Sequence, residues 1–485
     1  MRAPSVASSQ LGQPSVAAHT LSSGGMGRNR QRNIALLVAG TFFMENLDGT
    51  ILTTAAPSIG RSLGVPSVAI GIAITGYLLT LAVLIPLSGW IARRLGSRRV
   101  FLAAIAVFTL ASVLCALSTS LPELTIMRVL QGAGGAMMVP VGRLAVLRVT
   151  DRVDLIRAIA LLTWPALVAP IFAPLAGGFI TTYFTWHWIF LINVPLGIVA
   201  FIAAVRLIPA EARESPPPLD WVGLALTCTG LGSLVYLGSL LAERDPGVLA
   251  TITWAVAGFG LVGFAIAHQL RTRNPLLDLR ALRIETFRLS HAGGSLFRLT
   301  VNAVPFLLPL LFQDVFGYTP LISGALVLFV FVGNLAIKPA TTPLLRRFGF
   351  RAVIVVASAA AAVSIALMAL LSSATPVWLV IVLLTLSGVA RSTGFTAYNT
   401  IAFADVERVE MTDANTLAST LQQVAAGFGV AVGAVVLRLG QGFATGSGAF
   451  EFAFAVLAVL TALATVEALM LSRTAGENIR PARAG

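Results

Sequence analysis

Charge is scarce in this sequence. Of its 485 residues, 11% are Asp, Glu, Lys or Arg and 57% are hydrophobic. A soluble protein of that length needs a far more polar surface, so the composition excludes a soluble globular fold and points to an integral membrane protein. Cysteine is nearly missing. Cys115 and Cys228 have neither metal-ligand spacing nor the pattern of a disulfide framework, and both read as small core residues of helices. The four histidines are scattered, so no metal site is expected. Nucleotide motifs are absent too: the run "GAGGAMM" (132–138) lies in an apolar segment and is not followed by the Lys-Ser/Thr pair of a phosphate loop. No cofactor and no nucleotide partner are expected. Nor do the apolar segments hold a Ser/His, Asp/Asp or HExxH constellation, and His187 and His291 stand near segment ends without a partnered nucleophile. An intramembrane enzyme is therefore the weaker alternative, and no catalytic residue is named.

Long apolar runs are what the chain does have. Crossing a bilayer takes about 20 apolar residues, and fourteen segments qualify: 34–56, 67–91, 100–119, 122–146, 155–181, 188–207, 220–242, 247–268, 288–313, 321–340, 352–372, 376–402, 412–438 and 449–471. They are too long and too little alternating for barrel strands, so the expected fold class is an all-α integral membrane protein. The formal net charge of +13 resides in loops. Arg28, Arg30 and Arg32; Arg93, Arg94, Arg98 and Arg99; Arg148, Arg152 and Arg157; Arg271, Arg273, Arg280 and Arg283; Arg346, Arg347 and Arg351; and Arg473, Arg480 and Arg483 fall in alternate loops or at the termini. By the positive-inside rule these loops and both termini are cytoplasmic, which makes the charge a topology signal and not a nucleic-acid surface. Residues 1–33 carry no signal-peptide run and read as a disordered cytoplasmic tail, and residues 473–485 as a cytoplasmic tail at the other end. Met26 opens a compact basic start, "MGRNRQRNIALL", so residues 1–25 are expected to be dispensable.

Two stretches repeat at an offset of 253: "GWIARRLGSRRVFL" (89–102) and "TPLLRRFGFRAVIV" (342–355). They share Arg93/Arg346, Arg94/Arg347, Gly96/Gly349, Arg98/Arg351 and Val100/Val353, each in a basic loop between the second and third segment of a half. A parallel repeat of half the chain implies two six-helix bundles, here 34–208 and 288–472, around a central path. Segments 220–242 and 247–268 then lie in a linker, 209–287, outside the bundles.

Polar residues inside apolar segments are the candidate site. An ionisable group at mid-membrane costs about 2.5–3.5 kcal/mol on insertion scales, so its presence is a functional hypothesis. Asp48 in the first segment and Arg128 in the fourth have depths of about 12 and 9 Å at helical rise, and can share a layer. A carboxylate held between burial and a basic partner can change charge state as access alternates; a static ion pair is the bland alternative. Glu45, three residues from Asp48, projects to a similar side of the helix. It could meet a cationic substrate or take a second proton. The second half offers Arg298, Asn302 and Gln313 in one segment, Arg391 and Asn399 in another, and Gln422 in a third as cavity candidates. Two deep arginines are unusual for a carrier of simple lipophilic cations and point equally toward anionic or chelate-like cargo; pairing with helix-end carbonyls or snorkelling is the bland alternative. Pro170, Pro174, Gly177 and Gly178 suit a hinge or seal, since Pro kinks a helix and Gly permits close approach. Gly132 is expected to allow the same close approach in the fourth segment, and Gly89, Gly96, Arg98, Arg346, Gly349 and Arg351 belong to the loop repeat.

The loop repeat resembles the Gly-x-x-x-Asp-x-x-Gly-Arg motif of the major facilitator superfamily. "LDGTILTTAAP" (47–57), "RVLQGAGGAMMVPVGR" (128–143), "APLAGG" (173–178) and "WHWIFLINVPLG" (186–197) resemble motifs of helices 1, 4, 5 and 6 in its fourteen-helix drug:proton antiporter branch. Arg93 stands where the loop motif has Asp, and Ala169 and Ala173 where the helix 5 motif has Gly. The resemblance implies a proton-coupled exporter of drugs or other small molecules in a bacterial inner membrane, working as a single chain with protons and a small-molecule substrate as partners. An exporter of organic anions or metal-citrate-type chelates is the alternative within transport.

Overall fold

The computed structural model describes residues 28–150, 155–209, 218–241, 247–407 and 410–472. Among them every regular element is helical, as a backbone surrounded by apolar side chains demands: hydrogen bonds must be closed within the segment. The helices are α1 (Arg28–Leu63), α2 (Gly71–Leu95), α3 (Ser97–Leu117), α4 (Leu121–Val149), α5 (Leu155–Tyr183), the short α6 (Trp188–Leu191), α7 (Asn193–Leu207), α8 (Trp221–Leu241), α9 (Val248–Arg271), α10 (Glu285–Leu310), α11 (Pro320–Ala336), α12 (Lys338–Phe348), α13 (Phe350–Met368), α14 (Val377–Ala402), α15 (Met411–Gln441) and α16 (Ser447–Leu469). Each predicted segment overlaps a helix. The first starts earlier than expected, because Arg28 to Asn33 are already helical; residues 1–27 and 473–485, read from sequence as tails, lie outside the described residues.

Among the described residues, twelve helices are long and apolar enough to cross a membrane, and the bent pair α11–α12 makes a thirteenth. This count comes close to the fourteen expected and does not confirm it exactly. Helix α5 itself runs 29 residues, Leu155–Tyr183, and its stretch Val168–Tyr183 is apolar. Three prolines, Pro165, Pro170 and Pro174, interrupt its backbone bonding.

Local rules set several boundaries. Ser120 caps α4 by accepting from the Glu123 N–H at 3.4 Å, while the Glu123 carboxylate accepts from the Thr119 N–H at 2.9 Å. The repeat glycines play equivalent parts in each half. Gly96 breaks α2 from α3 at φ 88°, and Gly349 breaks α12 from α13 at φ 82°, a backbone region open to glycine at little cost. The repeat arginines match as well. Arg98 Nη2 donates to the Val205 carbonyl at 2.7 Å near the end of α7, and Arg351 Nη2 to the Leu469 carbonyl at 2.6 Å at the end of α16. A cation on the last turn satisfies orphan carbonyls and complements the helix dipole. Arg346 is exposed, and a Cβ at Gly89 would meet nothing, so close packing is not the reason for that glycine.

In the first half α1 packs on α5, and α4 on both α2 and α3; in the second, α11 packs on α14, α13 on α14 and α16, and α10 on α15 and α16. The halves meet along α2–α15 and α5–α11. Helix α8 touches α2 and α15, while α9 packs chiefly on α8 and faces outward with Val248, Leu249, Phe259 and Phe264 exposed. Cys228 is exposed on α8, which corrects its reading as a core residue; Cys115 is buried. Asp220 anchors this hairpin: it accepts from the Gly223 N–H at 2.8 Å and the Leu276 N–H at 3.2 Å, and faces His268 Nε2 at 2.8 Å.

Candidate functional site

The first half buries one ion pair inside a polar network. Helices α1 and α4 bring Asp48 and Arg128 together at 2.5 Å with both side chains fully buried. Arg128 Nη1 also donates to Gln131 Oε1 at 2.7 Å, one turn further along α4. Gln131 Nε2 donates to Asp48 Oδ1 at 2.9 Å and to the Ser112 hydroxyl at 2.8 Å; Asn193 Nδ2 donates to Asp48 Oδ1 at 2.8 Å. The Tyr77 ring lies under the Arg128 guanidinium, 4.0 Å from its carbon. Five helices, α1, α2, α3, α4 and α7, thus contribute to the network, and α4 and α7 supply the donors to the carboxylate. A buried charge survives only with such company, since taking it from water unpaired costs several kcal/mol. The network is not fully closed: Arg128 Nε and Nη2, the Tyr77 hydroxyl and Asn193 Oδ1 are buried without hydrogen-bond partners.

Gln131, Ser112, Asn193 and Tyr77 are the members that sequence reasoning missed. Gln131 and Asn193 interrupt apolar runs in "RVLQG" and "FLINVP", which was the available signal. Neutral side chains carry too small an insertion cost to stand out as Asp48 did.

One turn from Asp48, Glu45 has a different setting. It lines a cavity of about 260 Å³ between the halves. Asn46, Thr50, Tyr77 and Pro170 share its side; Asn302, Phe331, Arg391 and Gln423 face them from the second half. Arg391 Nη2 donates to Asn302 Oδ1 at 2.9 Å, and the Phe331 and Phe395 rings flank its guanidinium at 5.5 and 5.6 Å.

The other second-half candidates do not line this cavity. Arg298, 1% exposed, donates to Asn399 Oδ1 at 2.6 Å and to the Ser290 carbonyl at 3.2 Å, forming a separate polar cluster with Tyr398 nearby. Asn302 ties the two sites, since its Nδ2 donates to the Arg298 carbonyl at 2.8 Å. Gln422 does not line the cavity; its neighbour Gln423 does. Successive residues on a helix are rotated by about 100°, so one position decides which is presented.

Polar contacts tie the halves together toward the end remote from the start of α1. Gln313 Nε2 donates to the Thr54 carbonyl at 2.9 Å, Thr75 Oγ1 to the Gly427 carbonyl at 3.2 Å, and the Leu321 N–H to Thr182 Oγ1 at 3.1 Å. Arg61 and Asp314 lie 3.8 Å apart at the same end. Gln313 is therefore a bridge between halves, where sequence placed it in the cavity wall. The α5–α11 crossing is made by small residues: a Cβ on Gly178 would meet the Pro320 carbonyl oxygen, and one on Gly324 the Pro174 carbonyl oxygen. Gly177 lies against the Ile51 carbonyl of α1 and Gly132 against the Tyr77 carbonyl of α2, so both let helices of the first half approach closely.

Comparison with known proteins gives one direction. The profile of the Major Facilitator Superfamily matches residues 38–430 and 292–484. MdtD, a candidate multidrug resistance protein of Pectobacterium atrosepticum, is 35% identical over 83% of this chain and 86% of the relative. HsrA, a candidate transport protein of Haemophilus influenzae, is 34% identical over 93% of this chain and 98% of the relative. Among solved structures, the nucleoside transporter NupG superposes with a TM-score of 0.63 at 14% identity, covering 91% of this chain and 98% of that one. A D-xylose-proton symporter gives 0.66 at 13% identity over 93% and 99%. Likenesses so remote in sequence speak to the fold alone.

Proposed function

We propose, from the premise that this chain belongs to the Major Facilitator Superfamily, that it exports drugs or other small molecules in exchange for protons. The chain is a multi-pass membrane transporter; the direction, the coupling and the residues are our reading. Its working parts are two six-helix bundles, 34–208 and 288–472, with 209–287 as a linker hairpin. They rock about the cavity along α2–α15 and α5–α11, as a single chain in a bacterial inner membrane with both termini cytoplasmic.

The observation that carries this reading is the division of labour between two carboxylates one turn apart. Asp48 is buried among donors from Arg128, Gln131 and Asn193. Glu45 faces the cavity between the halves. Glu45 is the group that can exchange a proton with whichever side the cavity opens to. The Asp48–Arg128 network holds α1 against α4 and α7 and transmits the charge of Glu45 to the packing of the bundle. A proton arriving from outside neutralises Glu45 and releases cargo; its departure to the inside restores the charge that draws the next cargo molecule.

Everted membrane vesicles carrying an acid-inside gradient, followed with a pH-gradient dye, test the coupling. Addition of lipophilic cations, organic anions or zwitterionic drugs from a panel should collapse the gradient for at least one compound. The Glu45→Gln variant should respond to none. A panel without any response, or a variant that behaves like the wild type, removes the antiport reading.

Organic anions are the second reading. Among the described residues Arg298 and Arg391 lie deep in the second half with no acidic side chain in a salt bridge to either.

A further inference from the structure

Among the described residues that line it, the cavity holds one acid and one base, contributed by opposite halves. Glu45 comes from α1 and Arg391 from α14, and both line the same space of about 260 Å³. That is near the lower end of ligand pockets, which run from about 300 to 1,000 Å³, so one small molecule can reach both. Arg391 is held as a donor in waiting. Asn302 takes one guanidinium nitrogen, the Phe331 and Phe395 rings flank the cation, and Nη1 is buried without a hydrogen-bond partner. Aromatic faces stabilise a cation without neutralising it, which leaves the charge available to an anion.

We propose that this cavity selects a zwitterion of amino-acid size, its ammonium group on Glu45 and its carboxylate on Arg391. The inference rests on the export reading above and narrows its substrate class. A lipophilic cation would satisfy Glu45 and bring a like charge toward Arg391. A simple anion would do the reverse. Unpaired charge in a desolvated site is costly, so each mismatch is a repulsive element that sharpens choice. A zwitterion meets both ends at once.

Coupling then follows from competition. The ammonium group and a proton cannot both occupy the Glu45 carboxylate, so each displaces the other. The charged and titratable groups around it are Asp48 on its own helix, Tyr77 from α2, Arg128 from α4 and Arg391 across the cavity. The lining residues from α5, α10, α11 and α15 are uncharged: Pro170, Asn302, Phe331 and Gln423 among them. One zwitterion leaving and one proton entering moves one positive charge inward per cycle.

Matched ligand triads test the site by equilibrium binding to the full chain in nanodiscs, with no gradient imposed. Phenylalanine (zwitterion), its methyl ester (cation) and its N-acetyl derivative (anion) differ mainly in charge, and the tryptophan triad repeats the comparison at larger size. Charge-assisted hydrogen bonds set the expected preference for the zwitterion over either partner at about 10- to 100-fold. Arg391→Gln should bring the ester level with the amino acid, and Glu45→Gln should do the same for the N-acetyl form. Arg391→Lys, which keeps the charge, should retain part of the preference and so separates charge recognition from misfolding. Binding should weaken as pH falls in the wild type and lose that dependence in Glu45→Gln. Binding of only cations, only anions, or no member of either triad overturns the proposal. Zwitterion binding without gradient collapse in the vesicle assay would instead remove the antiport reading and leave the site.

Discussion

For single residues, the Asp48–Arg128 pair is decided by burial. Both side chains are fully buried, so removing one partner leaves the other charged and desolvated. Such losses run to about 3–5 kcal/mol. Asp48→Asn should destabilise the purified protein by that order, read as a lowered thermal midpoint, and abolish coupled transport. The double variant Asp48→Asn with Arg128→Gln should recover most of the midpoint and none of the transport. A midpoint unchanged in the single variant would mean that the pair is wet or weakly held. The pair was legible in the sequence because both charges stand at similar depths in apolar runs. Its supporting amides were not, since a neutral polar residue in such a run does not reveal whether it faces a partner or lipid.

Among the helices, two junctions make separate predictions. The α5–α11 crossing depends on Gly178 and Gly324, each set against a carbonyl of the other helix. Gly178→Val should wedge the helices apart and favour the form open at that end. Spin labels on the ends of α5 and α11 should report a longer distance, and transport should fall; an unchanged distance would remove the crossing from the seal. The α8–α9 hairpin depends on Asp220. Partial burial pushes its carboxyl up, but the Gly223 N–H, His268 and the Leu276 N–H outweigh that and hold it below the usual carboxylate range. A depressed carboxylate stabilises the fold above its unfolded value of 3.8 and loses that contribution as pH falls through the lower folded value. Hydrogen exchange at the start of α8, corrected for intrinsic rates, should therefore be slow near neutrality and rise below about pH 4. Asp220→Asn should exchange faster at neutrality and show little of that acid rise. The repeat was legible at this level: Gly96 and Gly349 mark the same turn, and Arg98 and Arg351 cap the same kind of helix end. The bend of 49° between α11 and α12 was passed over in reading 321–340 as one segment, although Pro339 at the first turn of α12 was the available signal.

For the assembled bundles, the question is which way the cavity faces. Gln313, Thr75, Thr182 and Arg61 bind across the halves at the end away from the start of α1. In the orientation proposed above, with both termini cytoplasmic, that end is external and the structure is closed to the outside. Reporters active only in the cytoplasm should work when fused to either terminus. A single cysteine at Gln423, in a chain carrying Cys115→Ala and Cys228→Ser, should react faster with an impermeant thiol reagent in inverted vesicles than in right-side-out ones. Equal rates from both sides would contradict a sealed external end.

Reading the residues in order was enough to establish a set of membrane-crossing helices with a repeated loop, and an acid and a base lying level in the first half. These are local properties: apolar length fixes where a helix forms, and a charge within it has one depth. It took the packed bundle to enclose Asp48 while turning Glu45 to the cavity, to line that cavity with Arg391 and not Arg298, and to present Gln423 in place of Gln422. Those outcomes depend on the rotation of each helix about its axis, which is set by partners far along the chain, such as Asn193 for Asp48 at a separation of 145 residues and Asn399 for Arg298 at 101.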